Sequence, residues 1–279
     1  MTCTGCADVD VRHRTWRVLI DEPVGGRPAL FLKDVNILVQ KVALVTGASG
    51  GIGQAIAKTL ATRGYYLYLH YHQNELRMKE LVKECKQIGV DFKMIKADLS
   101  VPDGVAVLIK QLERDVDAIV YTSGVSHYGV ITETTEQTVD ELVQIHLKSP
   151  FMLAQSLLPT MISKKKGSIV LISSIWGLTG GSCEVLYSMV KGSQNSFVKA
   201  LAKEVALSGI RVNAVAPGAI NTPMMADFSE EEIRHLRDDI PMGRIGDPNE
   251  VAEAVSFLLS NNASYITGQI LSVNGGWYC

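Results

Sequence analysis

The sequence predicts an α/β fold in which one doubly wound parallel sheet lies between two layers of helices, and three observations predict it. From Lys41 onward, short apolar runs alternate with helical stretches, as successive βα units require. A glycine-rich turn, TGASGGIG at Thr46 to Gly53, closes the first apolar run and opens the first helix. Nothing resembling a linker interrupts residues 41–279, so they read as a single domain.

Taken in order, KVALVT is a fully buried strand and GGIGQAIAKTLATRG the helix after it. YLYLHYH is a second strand, ELRMKELVKECKQIG an amphipathic helix, and DFKMIKADL the way out of a third strand. Ser100-Val-Pro-Asp103 reads as a capping box with proline in the first turn, opening another helix. VDAIVYTSG is a fourth strand that ends in small residues. Thr135 to about Lys165 carries two long helices with a break near Pro150. SIVLISS is the fifth strand, the next helix runs through Lys203, and IRVNAVAPG is the sixth strand. Asp247-Pro-Asn-Glu250 caps a late helix, and ILSVNGG supplies the last strand. Such a three-layer αβα arrangement is the Rossmann architecture, whose ligand crevice lies at the carboxyl ends of the strands. Residues 1–40 precede it: HRTWRVLI and ALFLKDVNILV flank the turn PVGGRP, either as two strands or as a loosely held extension with little part in catalysis.

Composition removes several classes of function. A hydrophobic content of 47% with 20% charged residues suits a protein with a large core, and a net charge of −2 offers no electrostatic case for nucleic acid or an anionic membrane. No uncharged apolar run reaches the roughly 18 residues of a membrane span, and the N-terminus lacks a secretory core, so a cytoplasmic protein is expected. Five scattered cysteines make no disulfide framework. Cys3 and Cys6 have C-x-x-C spacing, but zinc wants two more ligands, of which only His13 is near, and a redox pair wants a helix start after a strand. No metal is expected.

The chemistry concentrates in SSIWGLTGGSCEVLYSMVK, Ser173 to Lys191. Tyr187 and Lys191, four residues apart on a helix, project from one face. A phenol titrates near pH ~10, and a neighbouring ammonium is expected to lower that value, more so beside an oxidised nicotinamide. Ser174 supplies a second hydrogen bond to a carbonyl oxygen that gains charge as hydride arrives, with Ser173 as the alternative if the register differs by one. In the glycine turn, Gly47 permits the tight turn, Gly51 the approach of a pyrophosphate and Gly53 close packing, with the helix N-terminus facing the anion. The second strand ends His70-Tyr71-His72-Gln73-Asn74, with no carboxylate before Glu75, which favours NADP(H) over NAD(H) and leaves His72 and Asn74 to meet the 2′-phosphate.

These motifs, in this order and at this separation, resemble the short-chain dehydrogenase/reductase family over nearly everything from Lys41 to the C-terminus. Within the family, TSGVSHYG, HLKSPFMLAQSLLP, SSIWGLTGGSCEVLYSMVKG and GIRVNAVAPGA are similar to the reductases of the 5-aminopentanone group carried on elongation factor P, which are often labelled 3-oxoacyl-acyl-carrier-protein reductases. The resemblance implies catalysis by Ser174, Tyr187 and Lys191. It implies cofactor contacts at Thr46, Gly47, Ser49, Gly51, Ile52, Gly53, Leu99, Ser123, Gly124 and Ile220, as well as at Tyr187 and Lys191. Asp98 should touch the adenine, Pro217, Gly218 and Thr222 should border the nicotinamide, and Thr222 should bond its carboxamide. It also implies a homotetramer paired through the long helices and the last strand.

Three positions depart from the family pattern. Relatives often carry Arg or Lys at the place of Gly50, and Asn-Asn-Ala-Gly where this chain has Tyr121-Thr122-Ser123-Gly124. His146 replaces a helix asparagine that supports a proton-relaying water, so it is either a relay or a packing histidine. On the substrate side stand Trp176, Cys183 and Glu184, with Thr222 to Pro241 as a mobile lid and Ser229 to Glu232 as a helix cap. Glu184 is either a solvated charge or a carboxylate that attracts a cationic aminoketone and disfavours an anionic phosphopantetheine thioester. Three readings follow: an NADPH-dependent ketone reductase acting on modified elongation factor P, a reductase of 3-oxoacyl thioesters or small ketones, and a non-catalytic dinucleotide-binding protein.

Overall fold

A computed structural model describes residues 9–10, 15–24, 27–36, 40–226 and 228–279; the Cys3, Cys6 and His13 arrangement lies outside the described residues. The chain divides into two compact units, Met1–Gln40 and Lys41–Cys279. In the first, β1 (Val9–Asp10), β2 (Thr15–Val24) and β3 (Arg27–Asn36) form an antiparallel sheet in that order, with Val24 opposite Arg27. Of the two sequence alternatives for this stretch, the paired strands are the one seen.

The second unit is a seven-stranded parallel sheet. Its strands are β4 (Val42–Thr46), β5 (Tyr66–Tyr71), β6 (Phe92–Lys96), β7 (Ala118–Tyr121), β8 (Gly167–Ile172), β9 (Ile210–Pro217) and β10 (Ile270–Val273), in the spatial order β10-β9-β8-β7-β4-β5-β6. Between them run α1 (Gly51–Thr62), α2 (Glu75–Ile88), α3 (Gly104–Ile109), α4 (Glu136–Val143), α5 (Ser149–Lys164), α6 (Trp176–Thr179), α7 (Val185–Val205), α8 (Glu230–Asp239) and α9 (Pro248–Leu259). The central strands β4, β5, β7 and β8 are buried almost end to end because both faces are covered. In β4, Ala43 and Val45 join the core that contains Ile56, Leu60, Val251 and Val255, whereas Val42 and Leu44 join the one that contains Leu153, Val198 and Leu201. The order reverses between β4 and β7, and at such a switch point the loops part to leave a crevice.

Two local expectations are corrected. Ser100 does not cap α3: its backbone N–H and hydroxyl both donate to Asp98 Oδ1 (2.9 and 2.6 Å), and the helix starts only at Gly104, after Asp103, without a side-chain cap. A carboxylate two residues back outcompetes the distant amide. Nor does Pro150 break the helical path. Five residues in π conformation, Gln144–Lys148, join α4 to α5 without interruption, and Pro150 falls in the first turn of α5. Proline lacks the N–H that would bind the carbonyl four residues back. That carbonyl, on His146, accepts instead from Gln194 Nε2 at 3.0 Å. The expected caps at Ser229 and Asp247 are both complete capping boxes. Among the described residues no helix is long and apolar enough to cross a membrane.

Candidate active site

The glycine turn is built from three directions. Gly47 adopts φ +62°, which glycine tolerates, and a Cβ there would lie 2.9 Å from Thr122 Oγ1 across the switch point. A Cβ on Gly53 would strike the Gly47 carbonyl, as close helix packing requires. Gly51 has a different neighbour from the one expected: a Cβ would lie 2.7 Å from Thr222 Cγ2, so the clearance ascribed to a pyrophosphate is bordered by the side chain that opens the lid segment. Helix α1 begins behind the turn with neither a side-chain cap nor an acidic residue in its first turn, so its leading N–H groups remain available to an anion. Opposite, the buried hydroxyl of Ser123 has no partner. An uncapped helix start, a glycine bed and an orphaned hydroxyl fit a dinucleotide.

Behind the turn is a residue the sequence reading passed over. His70, 2% exposed, accepts the Gly47 N–H at Nδ1 (3.1 Å) and donates from Nε2 to the Ala97 carbonyl (3.1 Å). These two bonds select one neutral tautomer, and burial holds the imidazole pKa down at about 4. The available signal was a lone histidine in the otherwise apolar run YLYLHY. Thr46 is fully buried and accepts the N–H groups of Thr122 (3.1 Å) and Ser123 (3.2 Å) at its hydroxyl, and so braces β4 against β7. Leu99 is likewise a core side chain, with its carbonyl bound by the Ser149 hydroxyl (2.7 Å). Ser49 and Ile52 stand half-buried in the turn, and Ile220 is buried.

At the carboxyl end of β8, the two serines separate. Ser173 turns inward, its hydroxyl donating to the Lys191 carbonyl (3.3 Å). Ser174 accepts the Trp176 N–H (3.2 Å) and is near enough to Tyr187 to draw its phenol pKa down, which favours it over Ser173. Lys191 Nζ donates to the Ile172 carbonyl (2.8 Å) and Gln194 Oε1 (3.4 Å), 5.5 Å from the centre of the Tyr187 ring. The electrostatics correct the sequence expectation. Burial raises the phenol pKa, Glu184 raises it further, and only the Ser174 bond pulls it back. Burial also brings Lys191 down to about 7. In a poorly solvated site both charged forms are penalised, so desolvation outweighs the amine's attraction and keeps the phenol protonated.

His146 is set against this group by the π turn. Its ring meets Tyr187 edge to face, with centroids 5.8 Å apart, and Nε2 lies 2.9 Å from the Val125 carbonyl. Nδ1 is buried without a partner, and burial, then Lys191, hold the pKa at about 3. A Cβ on Gly124 would collide with this imidazole. The histidine is thus a neutral group, against a relay that works by taking up charge.

The remaining predicted residues ring the crevice. His72 Nδ1 lies 3.6 Å from Asp98 Oδ1, while Asn74 spends its side-chain oxygen on the α2 cap, accepting from the Arg77 N–H at 3.1 Å. The Pro217 carbonyl accepts from Ile175, and Gly218 donates to the Val273 carbonyl (3.0 Å). Glu184 precedes α7, half-buried, its carboxyl pKa raised by burial and drawn back in part by the nearby Trp176 side chain. Cys183 adopts φ +60° beside it. Trp277, unremarked in sequence, places its ring 5.4 Å from that of Trp176. Among the described residues no cluster of His, Cys, Asp and Glu could hold a metal ion.

Comparison with known proteins agrees with this geometry. Residues 47–278 match the family model described as enoyl-(acyl carrier protein) reductase. An uncharacterized oxidoreductase of Bacillus subtilis, YmfI, is 57% identical over 242 residues, 86% of this chain and 100% of that protein. The 3-oxoacyl-[acyl-carrier-protein] reductase FabG of Staphylococcus aureus is 36% identical over 241 residues, 85% of this chain and 98% of its own length. Among solved structures, the angucycline C-6 ketoreductase LanV with bound NADP superposes with a TM-score of 0.80 at 31% identity, covering 85% of this chain and 95% of that one.

The two buried imidazoles make stability depend on pH in a defined window. The unfolded chain binds a proton at each near pH ~6.5 and the folded chain does not, so stability is full above that value and falls as pH drops. Between pH 7 and 5, above the main carboxylate range, the loss should be about 2 kcal/mol for each of His70 and His146. Urea midpoints at the two pH values measure it, and an unchanged midpoint would refute neutral burial.

Proposed function

Because the chain belongs to the short-chain dehydrogenase/reductase family, we propose that residues 41–279 reduce a ketone to a secondary alcohol with NADPH. The observation that carries this is the meeting of Ser174, Tyr187 and Lys191 at the carboxyl end of the sheet, beside an uncapped glycine turn. Reduced nicotinamide, when bound, supplies the hydride. Tyr187 supplies the proton, from a phenol that burial keeps in the donating form. The Ser174 hydroxyl donates to the same carbonyl oxygen as charge develops on it. Lys191, titrating near neutrality, restores charge balance beside that phenolate, and its amine is in place for ribose hydroxyls. His146 positions the Tyr187 ring, packed edge to face against it. Gly47, Gly51, Gly53, Ser123 and the start of α1 hold the pyrophosphate. The absence of a carboxylate from residues 70–74, together with the NADP held by LanV, supports NADP(H) over NAD(H).

For the substrate, the reading favoured is the 5-aminopentanone group on elongation factor P. A half-buried carboxylate at Glu184, beside Trp176 and near enough to Tyr187 to raise its pKa, supports a cationic aminoketone and works against a thioester on an anionic carrier. Likeness to FabG supports the alternative, a 3-oxoacyl thioester. Self-association through α4 and α5 belongs to the same reading. Phe151 and Met152 stand 51% and 45% exposed on that face, beside Phe197.

Three measurements test these proposals. Tyr187→Phe should lower kcat by about 100-fold or more with NADPH affinity retained; His146→Phe should slow turnover less, and full activity in either variant removes that residue from the mechanism. Elongation factor P from cells lacking this chain should be lighter by two hydrogens at the modified lysine. An unchanged mass, with NADPH consumed on acetoacetyl thioester, would favour the alternative. Light scattering should return four chains per particle, and a monomer mass would refute the association.

A further inference from the structure

Beyond β10 the chain turns back on itself. Asn274 holds the turn: its Oδ1 accepts the Gly276 N–H (3.0 Å), its Nδ2 donates to the Tyr278 carbonyl (2.7 Å), and its own carbonyl accepts the Trp277 N–H (3.1 Å). Gly275 and Gly276 adopt φ +65° and +81°, which side chains resist. The hook is also wedged from outside. A Cβ on Gly275 would lie 2.7 Å from Ile240 Cγ2, and one on Gly218 would lie 2.9 Å from Asn274 Cβ. The Gly275 carbonyl accepts from Met242 N at 3.1 Å. Cofactor loop, lid end and hook therefore form one fixture.

What the hook delivers is Trp277, whose ring meets that of Trp176 at 65°. Trp176 is tied to the reacting groups through its backbone N–H to Ser174 Oγ (3.2 Å), and its side chain lies near Glu184, which precedes the helix of Tyr187. Gly181 packs against the same ring, where a Cβ would lie 3.1 Å from Trp176 Cδ2. Both indoles are only half-buried, so each keeps a free surface.

We infer that Trp277 is a specificity-determining residue: with Trp176 it forms a rigid aromatic wall that restricts the ketone to a narrow, unbranched substituent. The inference rests on the reductase reading and deepens it. An indole held on one side by the hook and on the other by a packed partner excludes bulk rather than adapting to it. Discrimination by such a wall falls on kcat/KM for one substrate relative to another, and not on cofactor binding.

The test compares kcat/KM for ethyl acetoacetate and for the bicyclic aryl ketone α-tetralone, with NADPH, in the full-length protein and in Trp277→Ala and Trp277→Phe. Trp277→Ala should raise the ratio of bulky to slender ketone by about tenfold or more. Trp277→Phe should keep a ratio close to that of the parent, and both variants should retain NADPH affinity, which reports an intact fold. Should both ketones change by the same factor in Trp277→Ala, the wall is not selective and the inference fails alone. Should the parent reduce neither ketone, the reductase reading fails and takes the inference with it.

Discussion

The arrangement of this molecule depends on keeping an amine and a phenol away from water at the mouth of a parallel sheet. Desolvation is unfavourable for the ammonium of Lys191 and for the phenolate of Tyr187 alike, and the surrounding structure offsets it with fixed dipoles. The amine reaches the Ile172 carbonyl at the end of β8, and Gln194, three residues along the same helix, spans to the His146 carbonyl. That carbonyl is free because Pro150 has no N–H to occupy it. One residue earlier, the π segment offers the Ile145 carbonyl to the hydroxyl of Tyr121 (2.5 Å). A proline, a wide helical turn and a buried glutamine thus form a single polar web under the reacting groups. Its removal would leave buried polar atoms unpaired, each at a cost of about 1–3 kcal/mol.

This web bears on how protons are handled. The expectation from spacing alone was that a lysine four residues from a tyrosine makes it acidic. Spacing places the two groups correctly and says nothing of the solvent they lose. In the folded chain, burial opposes the phenolate, and the carboxylate of Glu184 adds to that opposition. For reduction this is useful, because the form that must be present when a ketone arrives is the neutral phenol. Acidity is needed only as charge develops, and a group tuned to release its proton late is matched to the transition state rather than to the resting site.

How much of this was readable beforehand follows from the range of the interactions involved. The strands and helices were legible because hydrophobic period, glycine position and capping residues are local signals. Asp247 and Ser229 cap their helices as read, and Tyr187 and Lys191 share a helix as read. What was missed depends on contacts between distant segments. Nothing near His70 announces that its ring will bind the N–H of Gly47, 23 positions away, and nothing near Thr46 reveals that its hydroxyl serves Thr122 and Ser123. Ser100 was misread as a cap because a capping pattern carries no information about a competing carboxylate at Asp98. Trp277 went unread for the same reason, since its partner lies 101 residues upstream.

The C-terminal hook hangs from β10, which ends the sheet order and pairs on one side only, with β9. Rim strands of this kind are the first part of a sheet to fray, opening at a free energy well below that of global unfolding. The seat of the wall proposed at Trp277 therefore depends on the local cohesion of the four residues of β10 at the border of the sheet. Selectivity and overall stability are then separate quantities: heat or denaturant that leaves the central strands intact can loosen the border first, so that the molecule grows permissive before it melts.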